Sequence, residues 1–238
     1  MKNLILFVLV SMGAVAKSEY PLQMLHRPFT MPKNAFQTSM QFKNSAVGIM
    51  SAEYGITHDL ELGLEWGGMG TKGQDLQPEM SMAVKLGYFL FSTPYASSML
   101  NFSLPFHFES NVLQKASLSL TTSVPIVRGH LGLLLFYDDL VALDWSKETL
   151  QASFNFPVRL NWQATEQLYL KLGTSVGTLS TTGSHVSIAD KTPLKFETLF
   201  AVTKSVDLLG SFGFAAVQKP SDMIFMLGVS IRGGELDV

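Results

Sequence analysis

The stretch of sequence that decides the fold is Tyr54-Gly-Ile-Thr57-His-Asp-Leu60-Glu-Leu62. Its pattern recurs as Trp162-Gln-Ala-Thr165-Glu-Gln-Leu168-Tyr-Leu170 and as Phe200-Ala-Val-Thr203-Lys-Ser-Val206-Asp-Leu208. In each copy an aromatic residue precedes a threonine by three positions, a polar pair follows, and apolar residues then occupy every second position. This order is typical of a strand that ends near a ring, a tight polar turn, and a new strand with strict alternation. Three such turns indicate hairpins that cross a layer of fixed thickness, and a membrane is such a layer.

Other segments alternate between apolar and polar residues in the same way. They are 36–43, 60–66, 100–108, 117–126, 150–162 and 168–172. Most are about ten residues long, which a tilted transmembrane strand needs, whereas strands of soluble proteins average about five or six. On this register the rings of Tyr54, Trp162 and Phe200 all point outward, where we expect an aromatic girdle.

Two weaker turn signals, at 92–95 and 128–130, fill the gaps between the three strong ones. The turns then recur about every 36 residues, the length that two strands and a longer opposite loop require. The sequence therefore predicts an all-β fold, a transmembrane antiparallel up-and-down β-barrel with short periplasmic turns. Twelve strands are expected, and ten if the first hairpin stays outside the sheet. A soluble periplasmic β-sandwich is the alternative, because its strands also alternate.

The first residues have the pattern of a secretory signal peptide. Lys2 precedes an apolar stretch at 4–10 and the small-residue site Ala14-Val-Ala16. We expect a signal peptide at 1–16, a periplasmic segment at 17–33 and a barrel at 34–238. The sequence contains no Cys, which excludes a disulfide framework and an acylated-cysteine lipoprotein.

The composition favours a lipid-covered exterior. Charged residues make up 15% of the chain, against roughly 25% in soluble domains, while hydrophobic residues make up an ordinary 47%. The chain thus has fewer charged residues than a soluble domain, but it does not have more apolar residues to form a larger core. The net charge of −2 indicates no nucleic-acid partner.

The phrase at 54–62 resembles a turn common in Gram-negative outer-membrane β-barrel proteins, and the texture of the whole mature chain is similar to theirs. The resemblance implies a location in the cell outer membrane. Such barrels usually end on an aromatic residue, whereas this sequence ends Ile231-Arg-Gly-Gly-Glu-Leu-Asp-Val238. Its assembly signal would then lie inside, at 227–231, or its insertion route differs. A weaker resemblance, carried by no single motif, is to porin-like outer-membrane proteins of predatory bacteria, some of which are lipid-holding oligomers.

Charged side chains of both signs fall on the inward face. Mixed charge is typical of a wetted lumen with pairs across it. A narrow, plugged barrel whose charges only satisfy one another is the alternative. The predicted lumen-lining residues are Glu61, Glu65, Lys85, His107, Arg159, Lys171, Lys195, Glu197, Asp207 and Arg232.

A second inward set is apolar and indicates contact with lipid, a plug or a subunit, or ordinary packing in a small barrel. Its members are Phe89, Phe91, Leu134, Phe136, Ile224 and Met226. Pro105, Pro125 and Pro157 stand within strands, where each removes a ladder hydrogen bond. Either they weaken the wall or they mark strand ends, as we expect for Pro125 and Pro157.

The sequence favours a porin-like channel or transporter for small solutes, surrounded by membrane lipid and assembled as a homo-oligomer. The alternative is an oligomeric lipid-binding, lipid-trapping or structural protein without conductance. A barrel lipid hydrolase comes third, since His107 lies near Ser117 or Ser119 but no oxyanion site is evident. We therefore expect no enzyme. The histidines show no metal spacing, and no phosphate or Ca²⁺ loop occurs, so neither a metal nor a cofactor is expected.

Overall fold

The computed structural model describes residues 21–43, 46–67, 81–107, 112–113, 115–137, 140–145, 150–182, 185–189, 194–214 and 223–234. The strands are β1 (Ala35–Lys43), β2 (Ala46–Gly55), β3 (Leu60–Gly67), β4 (Ser81–Ser92), β5 (Ser97–His107), β6 (Val112–Leu113), β7 (Lys115–Val127), β8 (Leu131–Leu135), β9 (Val141–Asp144), β10 (Gln151–Gln163), β11 (Leu168–Thr182), β12 (His185–Ala189), β13 (Leu194–Ala201), β14 (Val206–Phe214) and β15 (Met223–Gly234). One turn of 3₁₀ helix, Met24–His26, precedes them. Within these ranges no helix is long and apolar enough to span a bilayer.

These segments form a closed barrel of twelve antiparallel wall strands. β6 and β7 both pair with β5, β8 and β9 form one interrupted strand between β7 and β10, and β12 and β13 form another beside β11. β1 pairs with β15 along its whole length, so the first and last strands close the wall. The predicted twelve-strand transmembrane barrel is therefore confirmed. Ten strands are excluded because the β1–β2 hairpin lies in the wall.

The threonines of the repeated phrase stabilise the short turns directly. The hydroxyl oxygen of Thr57 accepts hydrogen bonds from the backbone N–H groups two and three residues later, at 3.2 and 3.0 Å. Thr93 and Thr165 make the same pair of contacts, and Thr203 makes the first of them. A hydroxyl that satisfies turn N–H groups explains why the position is a threonine. The remaining short turn, at 128–130, uses Gly129 at φ 77°, a conformation that glycine adopts without strain.

The outer surface of the barrel is apolar. Tyr54, Trp162 and Phe200 are each the second-to-last residue of their strand, and all three rings are exposed at the short-turn end. Other large exposed apolar side chains on the same surface include Leu62, Leu86, Phe102, Leu160, Leu172, Phe196, Leu208 and Phe212. An exterior of this kind is stable only when lipid covers it.

A β-bulge in β4 changes the direction of one predicted inward residue. Phe89 pairs with Met99 but Phe91 pairs with Ser98, so Leu90 is the extra residue. Phe89 stays on the inner face, where it lines a cavity near the short turns. Phe91 turns to the outer surface and is 47% exposed. The prediction that Phe91 points inward is wrong, because strict alternation does not hold across a bulge.

The interruption between β8 and β9 changes the direction of a second residue that was predicted to point inward. Phe136 follows β8 with φ 54°, which breaks the extended conformation. Its ring packs edge-on against that of Phe156, whose side chain is exposed on the outer face, with ring centroids 6.5 Å apart. The next residue, Tyr137, enters the lumen instead, where its ring lies 4.0 Å from the guanidinium carbon of Arg159. The predicted inward position of Phe136 is therefore wrong.

The three strand prolines lie where the hydrogen-bonded ladder is irregular. Pro105 faces the break between β6 and β7, and Pro125 adjoins a bulge near the end of β7. Pro157 lies in the middle of β10, where pairing passes from β8 to β9. Each proline thus occupies a position that needs no ladder donor. The expectation that Pro157 ends a strand is wrong.

Candidate functional site in the barrel lumen

One side of the lumen is acidic. Glu53 of β2 and Glu61 and Glu65 of β3 point inward there and border a cavity of about 500 Å³; we call these three residues the acidic wall. The Lys85 ammonium on β4 pairs with the Glu65 carboxylate. The side-chain amide of Gln37 donates to Glu53 at 3.3 Å. Successive residues of β2 point to opposite faces, and the ring of Tyr54 points outward, so its neighbour Glu53 points inward. The predicted lumen set omits Glu53.

A second side of the lumen is predominantly basic. Arg159 of β10, Lys171 of β11 and Lys195 of β13 surround the carboxylate of Glu197 on β13, at 2.7, 3.6 and 2.6 Å. We call these four residues the basic cluster. Register brings them together, because Lys171 pairs directly with Glu197 across β11 and β13. Three cations around one carboxylate leave an excess of positive charge.

The acidic wall and the basic cluster lie on opposite sides of the barrel. β2 and β3 are the second and third wall strands, whereas β10, β11 and the β12–β13 strand are the eighth to tenth. Half of the closed circuit separates the two groups. Opposed charges with a low-dielectric wall behind them produce an electric field across the lumen.

The N-terminal segment, which we define as residues 21–34, crosses the short-turn end of this lumen. The Leu25 N–H donates to Oε1 of Gln163 on β10 at 3.4 Å. The Thr30 hydroxyl donates to the carbonyl of His58 at 2.9 Å, and the Met31 N–H donates to Oε2 of Glu61 at 2.8 Å. The segment therefore reaches from β10 to the acidic wall. Its residues 21–33 fall within the expected periplasmic segment at 17–33, and they lie within the mouth of the barrel.

A buried ion triad anchors the segment to the wall. Arg27 binds Asp207 of β14 through both ends of its guanidinium, with Nη1–Oδ2 at 2.6 Å and Nη2–Oδ1 at 3.0 Å. Arg232 of β15 donates to the same Oδ2 at 2.6 Å. The three side chains are only 5%, 1% and 2% exposed. Removing one partner of a buried charge pair costs about 3–5 kcal/mol, because the other charge is left uncompensated.

Gly55 allows the segment to approach the wall. A Cβ atom at this position would lie 2.0 Å from the carbonyl oxygen of Pro32 and 2.5 Å from that of Met31. The Asn34 N–H donates to the Gly55 carbonyl at 2.9 Å, which fixes the end of the segment against β2. No larger residue than glycine fits at 55 without moving this backbone.

The segment separates two cavities at the short-turn end. One, of about 280 Å³, lies between the segment and the two charged sides, where Glu53, Glu61, Arg159 and Lys171 line it. The other, of about 690 Å³, lies between the segment and the turns and is lined by Phe29, His58, Phe89, Pro94 and Arg128 among others. The segment is thus a partition between the lumen and the opening at the short-turn end.

The remaining predicted residues are placed as follows. Leu134 pairs with Arg159 on the inner face and lines the 280 Å³ cavity. Met226 pairs with Ser211 on that face. His107 ends β5 and Ile224 lies in β15, but their side chains lie outside the described part of the structure. The portion of the chain that is described holds no group of three or more His, Cys, Asp or Glu placed to bind a metal.

Solved structures with a similar fold are outer-membrane porins. The KdgM porin is 9% identical, with a TM-score of 0.52 over 83% of this chain and 98% of that chain. The NanC porin is 9% identical, with a TM-score of 0.55 over 82% and 98%. No protein-family model and no curated protein sequence matches the chain. At such identities the likeness concerns the fold. The likeness confirms the porin-like β-barrel fold that the turns implied.

Proposed function

We propose that this protein is a channel for small polar solutes across the outer membrane. The observation that carries the proposal is the pair of opposed charged sides in the lumen. Charged groups in a sealed interior are costly unless every one is paired. The side chains of Lys85 and Lys195 are 42% and 51% exposed. This exposure supports a lumen that water enters.

The opposed charges also bear on the class of solute. A transverse field orients molecules that carry a dipole and admits ions of either sign along opposite sides of the lumen. A solute with one strong charge would be attracted by one side and repelled by the other. We therefore infer that small neutral polar or dipolar solutes pass more readily than multiply charged ones.

The deciding experiment is conductance of the purified full-length chain in planar bilayers. Discrete current steps are the expected result. The control is Glu166→Gln, which removes one carboxylate from an exposed turn outside the lumen. It should leave the step size unchanged. Absence of steps from the native chain and from variants that release the N-terminal segment would overturn the proposal.

The lipid-holding alternative has less support. Two of the six apolar residues on which it depends, Phe91 and Phe136, lie on the outer side of the wall. Phe89, Leu134 and Met226 remain inside among charged and polar neighbours. A homo-oligomer and a bound lipid stay predictions, and native mass spectrometry in mild detergent tests both.

A further inference from the structure

We propose that the N-terminal segment is a gate at the periplasmic mouth, held closed by the ion triad and opened by release of Arg27. This inference rests on the proposed channel function. The segment touches β10, β14 and the acidic wall and so spans the opening. A solute leaving the 280 Å³ cavity toward the periplasm meets this segment first.

The described contacts between the segment and the wall include few backbone hydrogen bonds. It adds no strand to the barrel, and its bridge to the sheet is the single pair Lys33–Gly55 beside the start of β1. Apart from the buried side chain of Arg27, its residues between Pro21 and Phe29 are only partly buried, and His26 is exposed. The described contacts that hold it to the wall are individual hydrogen bonds and the ion pair of Arg27 with Asp207, whereas each wall strand is held by two ladders.

The ion triad can lose Arg27 and still keep one ion pair, because it contains two guanidinium groups and one carboxylate. When Arg27 leaves, Asp207 keeps Arg232 at 2.6 Å, so the wall retains a neutralised, buried pair. The departing guanidinium passes into water at the mouth. Opening therefore leaves no uncompensated charge inside the barrel, which is the condition for a segment to detach while the fold persists.

Two substitutions open the gate by independent means. Arg27→Gln removes the charge that binds Asp207 and leaves the wall pair intact. Gly55→Ala changes no charge, but its Cβ would meet the Pro32 carbonyl at 2.0 Å and force the segment away. We expect Arg27→Gln to raise the open fraction in planar bilayers about tenfold or more, since loss of a buried pair changes an equilibrium by at least that factor. Gly55→Ala should raise it as well, through the clash with the segment. Glu166→Gln is the matched control for loss of a charge at the same end.

A crosslink tests the closed state directly. The chain has no cysteine of its own. A Cβ at Gly132 would lie 3.7 Å from Cδ2 of Leu25, an ordinary contact, so Leu25→Cys with Gly132→Cys places two thiols side by side. A short bis-methanethiosulfonate linker should join them, reduce the conductance, and keep it low even with Arg27→Gln. Dithiothreitol should restore it.

The outcomes separate the gate from the channel. If native protein, Arg27→Gln and Gly55→Ala conduct alike while the control is normal, the channel stands and the gate is overturned. Failure of the thiols to crosslink in folded protein would overturn the placement of the segment. If no variant conducts, even with the segment released, the proposed function fails and the gate fails with it. A higher open fraction in both release variants, abolished by the crosslink, supports the gate.

Discussion

At the level of single residues, the turn threonines act through their hydroxyl oxygens. These oxygens accept hydrogen bonds from backbone N–H groups that the strands leave unpaired. Thr165 shows this with contacts of 3.3 and 3.0 Å in an exposed turn. Thr165→Val keeps the shape and removes the acceptor. We expect a loss of about 1 kcal/mol in unfolding free energy, the usual value of such hydrogen bonds. Urea unfolding in detergent measures it, and Thr165→Ser should restore stability. Equal losses for Val and Ser would contradict this role of the hydroxyl.

The ion triad gives a second prediction at this scale. Asp207→Ala leaves Arg27 and Arg232 buried without their carboxylate, so the unfolding free energy should fall by about 3–5 kcal/mol. Arg27→Gln should cost less, because Asp207 keeps Arg232. Chemical unfolding of both variants in one detergent gives the comparison. A larger loss for Arg27→Gln than for Asp207→Ala would show that the segment, and not the wall, depends most on the triad.

At the level of elements, period-2 alternation could be predicted from the sequence wherever a strand runs unbroken. It placed Glu61, Lys171 and Glu197 inside, because lipid on one face and water on the other impose opposite demands on successive residues. It failed at Phe91 and Phe136, where a bulge and a positive φ shift the parity. The N-terminal segment has no periodicity, so no pattern indicated that Arg27 would meet Asp207. Long-range contacts of that kind depend on the closed barrel.

The orientation of β11 gives a test of the lipid-facing surface. Leu172 is exposed on the outer face four residues after β11 begins, level with Phe196, whereas Leu208 lies on the same face level with Phe200, next to a short turn. Leu172→Lys should destabilise the barrel by about 2–4 kcal/mol, and Leu208→Lys by about 0–1, because the cost of a lipid-facing charge falls toward the interface. Unfolding in phospholipid vesicles measures both. Equal small costs would contradict a transmembrane barrel in this register.

At the level of the whole molecule, the barrel combines a twelve-strand wall, two opposed charged sides and a segment across one mouth. The wall and the signs of most lumen charges follow from sequence alternation. The pairing of three cations on Glu197 and the partition formed by residues 21–34 follow only from closure of the barrel, which brings distant strands together. In the proposed channel, selectivity is therefore a property of the closed barrel, and its test must be made on the intact chain.

The most direct test of the central claim is the reversal potential of a single channel under a salt gradient. Neutralising the acidic wall with Glu53→Gln, Glu61→Gln and Glu65→Gln should shift it toward anion selectivity, because the excess positive charge of the basic cluster then dominates. Lys171→Gln with Lys195→Gln should shift it the opposite way. Glu166→Gln should leave it unchanged. Opposite shifts of the two sets are the predicted result. Reversal potentials that stay the same in both sets would contradict a conducting lumen lined by these charges.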